Sequence, residues 1–127
     1  MTATRRRGGD RGQAAVELAL ALPLVFVVLL AAVQVLLVAR DQLAVIHAAR
    51  EGARAAAVAA DPAGEGGRAA RAALTTLDPG RLSVDVDPSG ERVSVTVRYR
   101  APTDVPLVGS LLGDVTVTGT ATMQVEP

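Results

Sequence analysis

At 127 residues, with thirteen basic and thirteen acidic side chains, the chain has room for one small domain and carries no formal net charge at pH 7. It has no cysteine, which excludes thiolate metal sites, redox motifs, a lipidated lipoprotein cysteine and a disulfide scaffold. One phenylalanine and one tyrosine cannot form a base-stacking platform, and no folded segment gathers a basic face, so no nucleic-acid partner is expected.

The neutral total hides an asymmetry. Residues 1–12 hold Arg5, Arg6, Arg7 and Arg11 against the single acid Asp10, and the remainder is correspondingly acidic. Behind this basic leader the chain turns apolar from Leu18 to Ala39, interrupted only by Pro23 and Gln34. These 22 residues suffice, as a helix, to cross a hydrocarbon core of roughly 30 Å. Membrane lipid is therefore the first expected partner. Positive charge stays on the cytoplasmic side, which predicts a single pass of the cytoplasmic (inner) membrane with the N-terminus inside and the C-terminal region outside. A secretory signal peptide has a shorter apolar core of about 7–15 residues and a small-x-small cleavage site just after it. Val38-Ala39-Arg40 offers a poor one.

The helical pattern continues past the apolar run. Asp41 to Ala60 contains no proline, one glycine and many alanines, the best helix formers. A long helix over 13–60 is predicted, spanning the membrane at about 18–39 and loosened near Pro23, with its part from Asp41 onward packing on a soluble domain. Leu43, Ile46, Ala49, Ala53, Ala57 and Ala60 recur at three- and four-residue steps and form the expected packing stripe. Gly52 either admits a close neighbour or is merely tolerated.

Residues 61–127 are predicted to form a small extracytoplasmic α+β domain. Asp61-Pro62-Ala63-Gly64-Glu65-Gly66-Gly67 reads as a breaker, followed by a short amphipathic helix from about Arg68 to Leu77. The period then changes to two. Leu82, Val84 and Val86 alternate with polar residues up to a turn at Asp87-Pro88-Ser89-Gly90. Val93, Val95, Val97 and Tyr99 form a second run, and Val115 to Val125 a third that alternates with threonines. Three antiparallel strands with one apolar face need a cover, and the alanine-rich end of the long helix supplies it. The apolar loop 105–113 reads either as a partner-binding or membrane-touching patch or, the favoured reading, as a loop that folds back to cap the open end of the sheet.

One acid stands at the mouth of the apolar run. Gly12-Gln13-Ala14-Ala15-Val16-Glu17 leading into an apolar helix resembles prepilins, in which the leader is cut after a glycine and the fifth residue of the mature chain is glutamate. Register selects Gly12, because cutting after Gly8 or Gly9 would make Gln13 or Ala14 fifth. Among prepilin-like chains the resemblance is to the TadE-like family of tight-adherence pili, carried also by Leu22-Pro23-Leu24 and by Ala48-Ala49-Arg50-Glu51-Gly52-Ala53-Arg54. The resemblance implies a pilin-like fold, a prepilin peptidase that cleaves after Gly12 and methylates the new amine of Gln13, and other pilin-like subunits and pilus assembly machinery as partners. Two positions depart from the family: Leu18 stands where phenylalanine is common, and Gln34 where an acid is often found.

Physics gives Glu17 a role of its own. Cleavage would place an α-ammonium on Gln13 one helical turn from the carboxylate of Glu17, and each charge is costly in hydrocarbon unless paired. Pairing between neighbouring subunits would fix their axial register. Alternatively, Glu17 is an interfacial acid favoured by the helix macrodipole.

The leading expectation is therefore a structural pseudopilin or minor pilin-like subunit cleaved after Gly12, acting in assembly of a pilus or related secretion machine. The alternative is an uncleaved single-pass anchor presenting a small binding module. No catalytic, cofactor-binding or metal site is expected: His47 is the only histidine, no serine has a base nearby, and Asp85 and Asp87 read as an ordinary acidic strand edge.

Overall fold

The computed structural model describes residues 7–127; Arg5 and Arg6 of the leader lie outside the described residues. Helix α1 runs Arg7–Val58, 52 residues and about 78 Å, straight through Pro23. After it come α2 (Pro62–Ala72), a 3₁₀ turn (Pro79–Arg81), β1 (Leu82–Ser89), β2 (Arg92–Ala101), the single turn α3 (Gly109–Leu112) and β3 (Val115–Gln124). The strands form an antiparallel meander in the order β1-β2-β3, which makes the chain α+β with a long N-terminal helix, as the sequence predicts.

The inward faces are the ones the alternation picks out. Val93, Val95, Val97 and Tyr99 of β2 are buried, as are Val117 and Gly119 of β3. The opposite face is polar and tied by hydroxyl pairs across the ladder, Ser94 with Thr122 at 2.6 Å and Thr96 with Thr120 at 3.2 Å. β3 runs alongside α1 in the same direction. Gln42 Nε2 donates to the Thr118 carbonyl at 2.8 Å, Gly119 lies against the backbone of Val45 and Ile46, and the Glu126 amide donates to the Ala57 carbonyl at 3.1 Å.

The stripe of α1 that meets the sheet is partly the predicted one: Ala49, Ala53 and Ala57 are buried as expected, Ile46 is half-buried, and Leu43 and Ala60 are exposed. Val45, Ala48, Ala49, Ala53 and Ala56 are buried, whereas Leu43 is 61% exposed. Closeness decides this. The helix axis comes so near the sheet that only the smallest side chains fit between them, so the alanine face turns inward although a leucine lies on another.

The short helix also begins earlier than its predicted start at Arg68. Asp61 caps α2, accepting from the Gly64 amide at 3.1 Å, and Pro62 occupies the first turn, where its missing N–H costs nothing. The glycines are inside the helix because α2 lies almost on α1. A Cβ added at Gly66 would meet the Ala56 methyl at 2.9 Å, and one at Gly52 would meet the Gly66 carbonyl oxygen at 2.9 Å. Close packing is thus the reason for Gly52.

The first hairpin turns later than predicted. Pro88 and Ser89 continue β1, and Gly90-Glu91 form the two-residue connection, with Gly90 at φ 60. β1 is an edge strand, where a proline is tolerated because its missing donor can face away from the ladder.

Candidate functional site

The N-terminal part of α1 is apolar on every side and packs on nothing. Leu18, Leu24, Phe26, Val28 and Leu29 are all more than half exposed. By length and composition this helix is able to cross a membrane. The folded unit reaches further up it than the sequence suggests. Leu30 is half-buried and Gln34 is 3% exposed, so contact with the domain begins well before Asp41.

At the head of this helix, Gly12, Gln13 and Glu17 lie within six residues of unbroken α1. Gln13 Nε2 donates to Glu17 Oε1 at 3.3 Å, the i to i+4 geometry of facing helical neighbours. Both side chains are exposed, and a Cβ built on Gly12 would have nothing within 4 Å. The site therefore consists of a small residue in open space, an amide and a carboxylate, one helical turn apart, with an apolar column directly behind them.

At the other end of the column, the connection between β2 and β3 wraps α1. Val105 and Val108 are buried, as expected of an apolar loop that folds back, and Val105 lines the same groove as Tyr99 near the end of β2. Leu107, Leu111 and Leu112 of the same loop are 64%, 82% and 64% exposed. Leu107 takes a left-handed backbone conformation, φ 68, which costs a non-glycine residue about 1–2 kcal/mol. Beneath the loop, both polar atoms of the Gln34 amide are buried without a hydrogen-bond partner, an arrangement that costs roughly 1–3 kcal/mol.

Asp41 stands just past the end of the apolar run. Burial pushes its carboxyl above the usual value of 3.8, partly opposed by the positive charge of Arg40. A group that binds protons more tightly when folded costs stability as pH rises through its folded-state pKa. Asp41→Asn should therefore gain on the parent chain as pH is raised from about 4, then hold a constant advantage. Paired thermal melts across that range check this; a gap that shrinks with rising pH contradicts it.

Among the described residues no three of His, Asp and Glu gather to hold a metal ion, and His47 is exposed on α1. Arg50, Glu51 and Arg54 point to solvent. The ion pair of Arg68 with Glu65, 2.6 Å apart, is exposed and contributes little.

Residues 12–54 match the family model described as TadE-like protein, beginning at Gly12 and ending within the alanine-rich stem. The stem of this chain is TadE-like. The match covers about a third of the sequence, including both the Gly12–Glu17 head and the Arg50–Arg54 segment. The family is a structural, pilus-associated and pilin-like one, and the sheet that follows lies outside the matched region. No curated protein and no solved structure matches the chain. Gly12, Gln13 and Glu17 share the head of one helix, the arrangement read from the sequence; the burial of Gln34 was missed there, its only signal a lone amide in an otherwise apolar run.

Proposed function

We propose that this TadE-like chain is a pseudopilin or minor pilin-like subunit. It is held in the inner membrane by α1 with its N-terminus inside and its sheet domain outside, cut after Gly12 by a prepilin peptidase, and used in assembling a tight-adherence pilus or related secretion machine. The observation that carries the reading is the Gln13–Glu17 contact, one turn apart at the head of an apolar column, with the family match opening on Gly12. Cutting there would turn the main-chain nitrogen of Gln13 into an ammonium while leaving Glu17 within a turn of it. A charge pair of that kind is stable in lipid only where each member has a partner.

Gly12→Ala tests the cleavage step with little structural disturbance, because the added methyl meets nothing within 4 Å and alanine is the better helix former. The expected result is an uncut chain that still inserts in the membrane and no longer enters surface material. N-terminal sequencing and intact mass, taken separately on membranes and on sheared filaments, read both events. A parent chain whose leader is intact in both fractions makes it an uncleaved anchor and ends the pilin reading.

A further inference from the structure

In the 102–114 connection Val105 and Val108 are buried, whereas Leu107, Leu111 and Leu112 are left exposed. Their position along α1 is informative. The connection lies against α1 over Leu30 to Asp41, with Pro102, Val105 and Pro106 beside Leu30, Val33 and Leu37 on one side, and Thr103 and Leu112 beside Gln34, Val35 and Val38 on the other. This is the last part of the apolar run, about 15 Å of helix between Leu30 and Ala39. At this same level Val35, at the edge of that contact, and Leu36 of α1 are still 67% and 69% exposed. If the bilayer stopped short of the connection, those side chains would stand in water.

Charge marks the depth. Arg40, Asp41 and Asp104 line the groove on one side of α1, just past the end of the apolar run. On the polar face of the sheet, at the end nearest the connection, Arg81, Arg98 and Arg100 line a second groove of about 510 Å³ with Asp114. Arg81 is held by Asp114 at 3.1 Å, whereas among the described residues no salt bridge engages Arg98 or Arg100. Because β3 runs alongside α1 from Val115 near Val38 to Glu126 at Ala57, this end of the sheet is the one facing the membrane.

We propose that the 102–114 connection is a collar that lies in the membrane leaflet nearest the domain. Leu107, Leu111 and Leu112 enter the boundary between headgroups and acyl chains, and Arg98 and Arg100 meet lipid phosphates. The proposal rests on α1 being the membrane span and adds a second point of attachment to it. An apolar patch seats about 5–10 Å deep in that boundary, and basic residues beside it add attraction to anionic lipid. The domain is then seated on the bilayer in one orientation instead of swinging from a single helix. Gln34 lies beneath the collar, shielded from both water and lipid.

The absence of cysteine makes the test direct. Leu111→Cys, Val28→Cys and Thr122→Cys, each in the full chain, carry an environment-sensitive fluorophore in vesicles of phosphatidylcholine with or without phosphatidylglycerol. Lipid-borne nitroxide and aqueous iodide are the two quenchers. The label at position 111 should be quenched by lipid at least about threefold more than that at 122 and be shielded from iodide, with the signal strengthened by phosphatidylglycerol. That strengthening should be lost on Arg98→Gln with Arg100→Gln. Lipid quenching at 28 with iodide quenching at 111 overturns the collar and leaves the span intact. Iodide access at 28 overturns the span and the collar with it. Shielding of 111 from both quenchers that grows with protein density also overturns the collar, in favour of a contact between copies.

Discussion

Gly119→Val is expected to destabilise the domain by roughly 3 kcal/mol, although valine is among the best strand formers and position 119 is in the middle of β3. Intrinsic preference alone gives the opposite sign, a gain of up to about 1 kcal/mol. Packing decides. A Cβ at this position would meet the Val45 carbonyl oxygen at 2.7 Å and the Ile46 nitrogen and Cα at 2.8 Å. These are backbone atoms of a continuous helix, so no rotamer change can relieve the overlap, and α1 and β3 would have to separate. Separation would strain the Gln42 to Thr118 bond and expose the alanine face of α1. Thermal unfolding of the full chain in detergent, followed by circular dichroism, measures this. Thr118→Val, one residue before and facing solvent with no side-chain hydrogen bond among the described residues, is the control and should shift the midpoint little. Equal midpoints for Gly119→Val and the parent would mean that the close approach of helix and sheet does not limit the fold.

The same closeness explains which parts of the fold were legible in the sequence. Period-two alternation located all three strands and their inward faces, because Val93 to Tyr99 and Val117 to Met123 follow the pleat; only Val115, at the start of β3, is exposed on the expected inner face. The stripe of α1 was harder to read. Hydrophobicity ranks Leu43 above Ala48, but a helix pressed against both a sheet and a second helix selects for small volume, and volume is not visible in a hydropathy pattern. The start of α2 was visible and was outweighed. Asp61-Pro62 with Glu65 after it is a cap, a first-turn proline and a first-turn acid, yet three glycines in the next residues read as a loop. In the fold, Gly66 packs against Ala56 and Gly52, a reason that exists only in three dimensions. The head of α1 was legible because its residues are sequential neighbours on one helix. The collar was legible only as the less favoured reading of an unusually apolar loop, since nothing local tells Val105 and Val108, which turn inward, from Leu111 and Leu112, which do not.

Glu17→Ala should leave insertion and cleavage unchanged and reduce incorporation into assembled material by about a hundredfold. The apolar column that holds the chain in lipid begins after Glu17, so removing the carboxylate makes insertion no harder. Within one chain the contact to Gln13 is a single exposed hydrogen bond, and its loss costs a free subunit little. In a bundle of such helices surrounded by lipid the balance changes. The amine of Gln13 on a neighbouring subunit would have lost its water, and leaving a buried charge unpaired costs about 3–5 kcal/mol. At 1.4 kcal/mol per tenfold, the lower bound already corresponds to two orders of magnitude. Glu17→Gln separates charge from hydrogen bonding. It can still engage its own Gln13, so if that local bond is what matters, it should assemble like the parent; if the charge pair between subunits matters, it should fail as Glu17→Ala does. Comparison of membrane and sheared fractions for the two variants distinguishes these outcomes. Normal yields in sheared material from both would leave Glu17 as an acid favoured by the helix N-terminus, with no part in assembly.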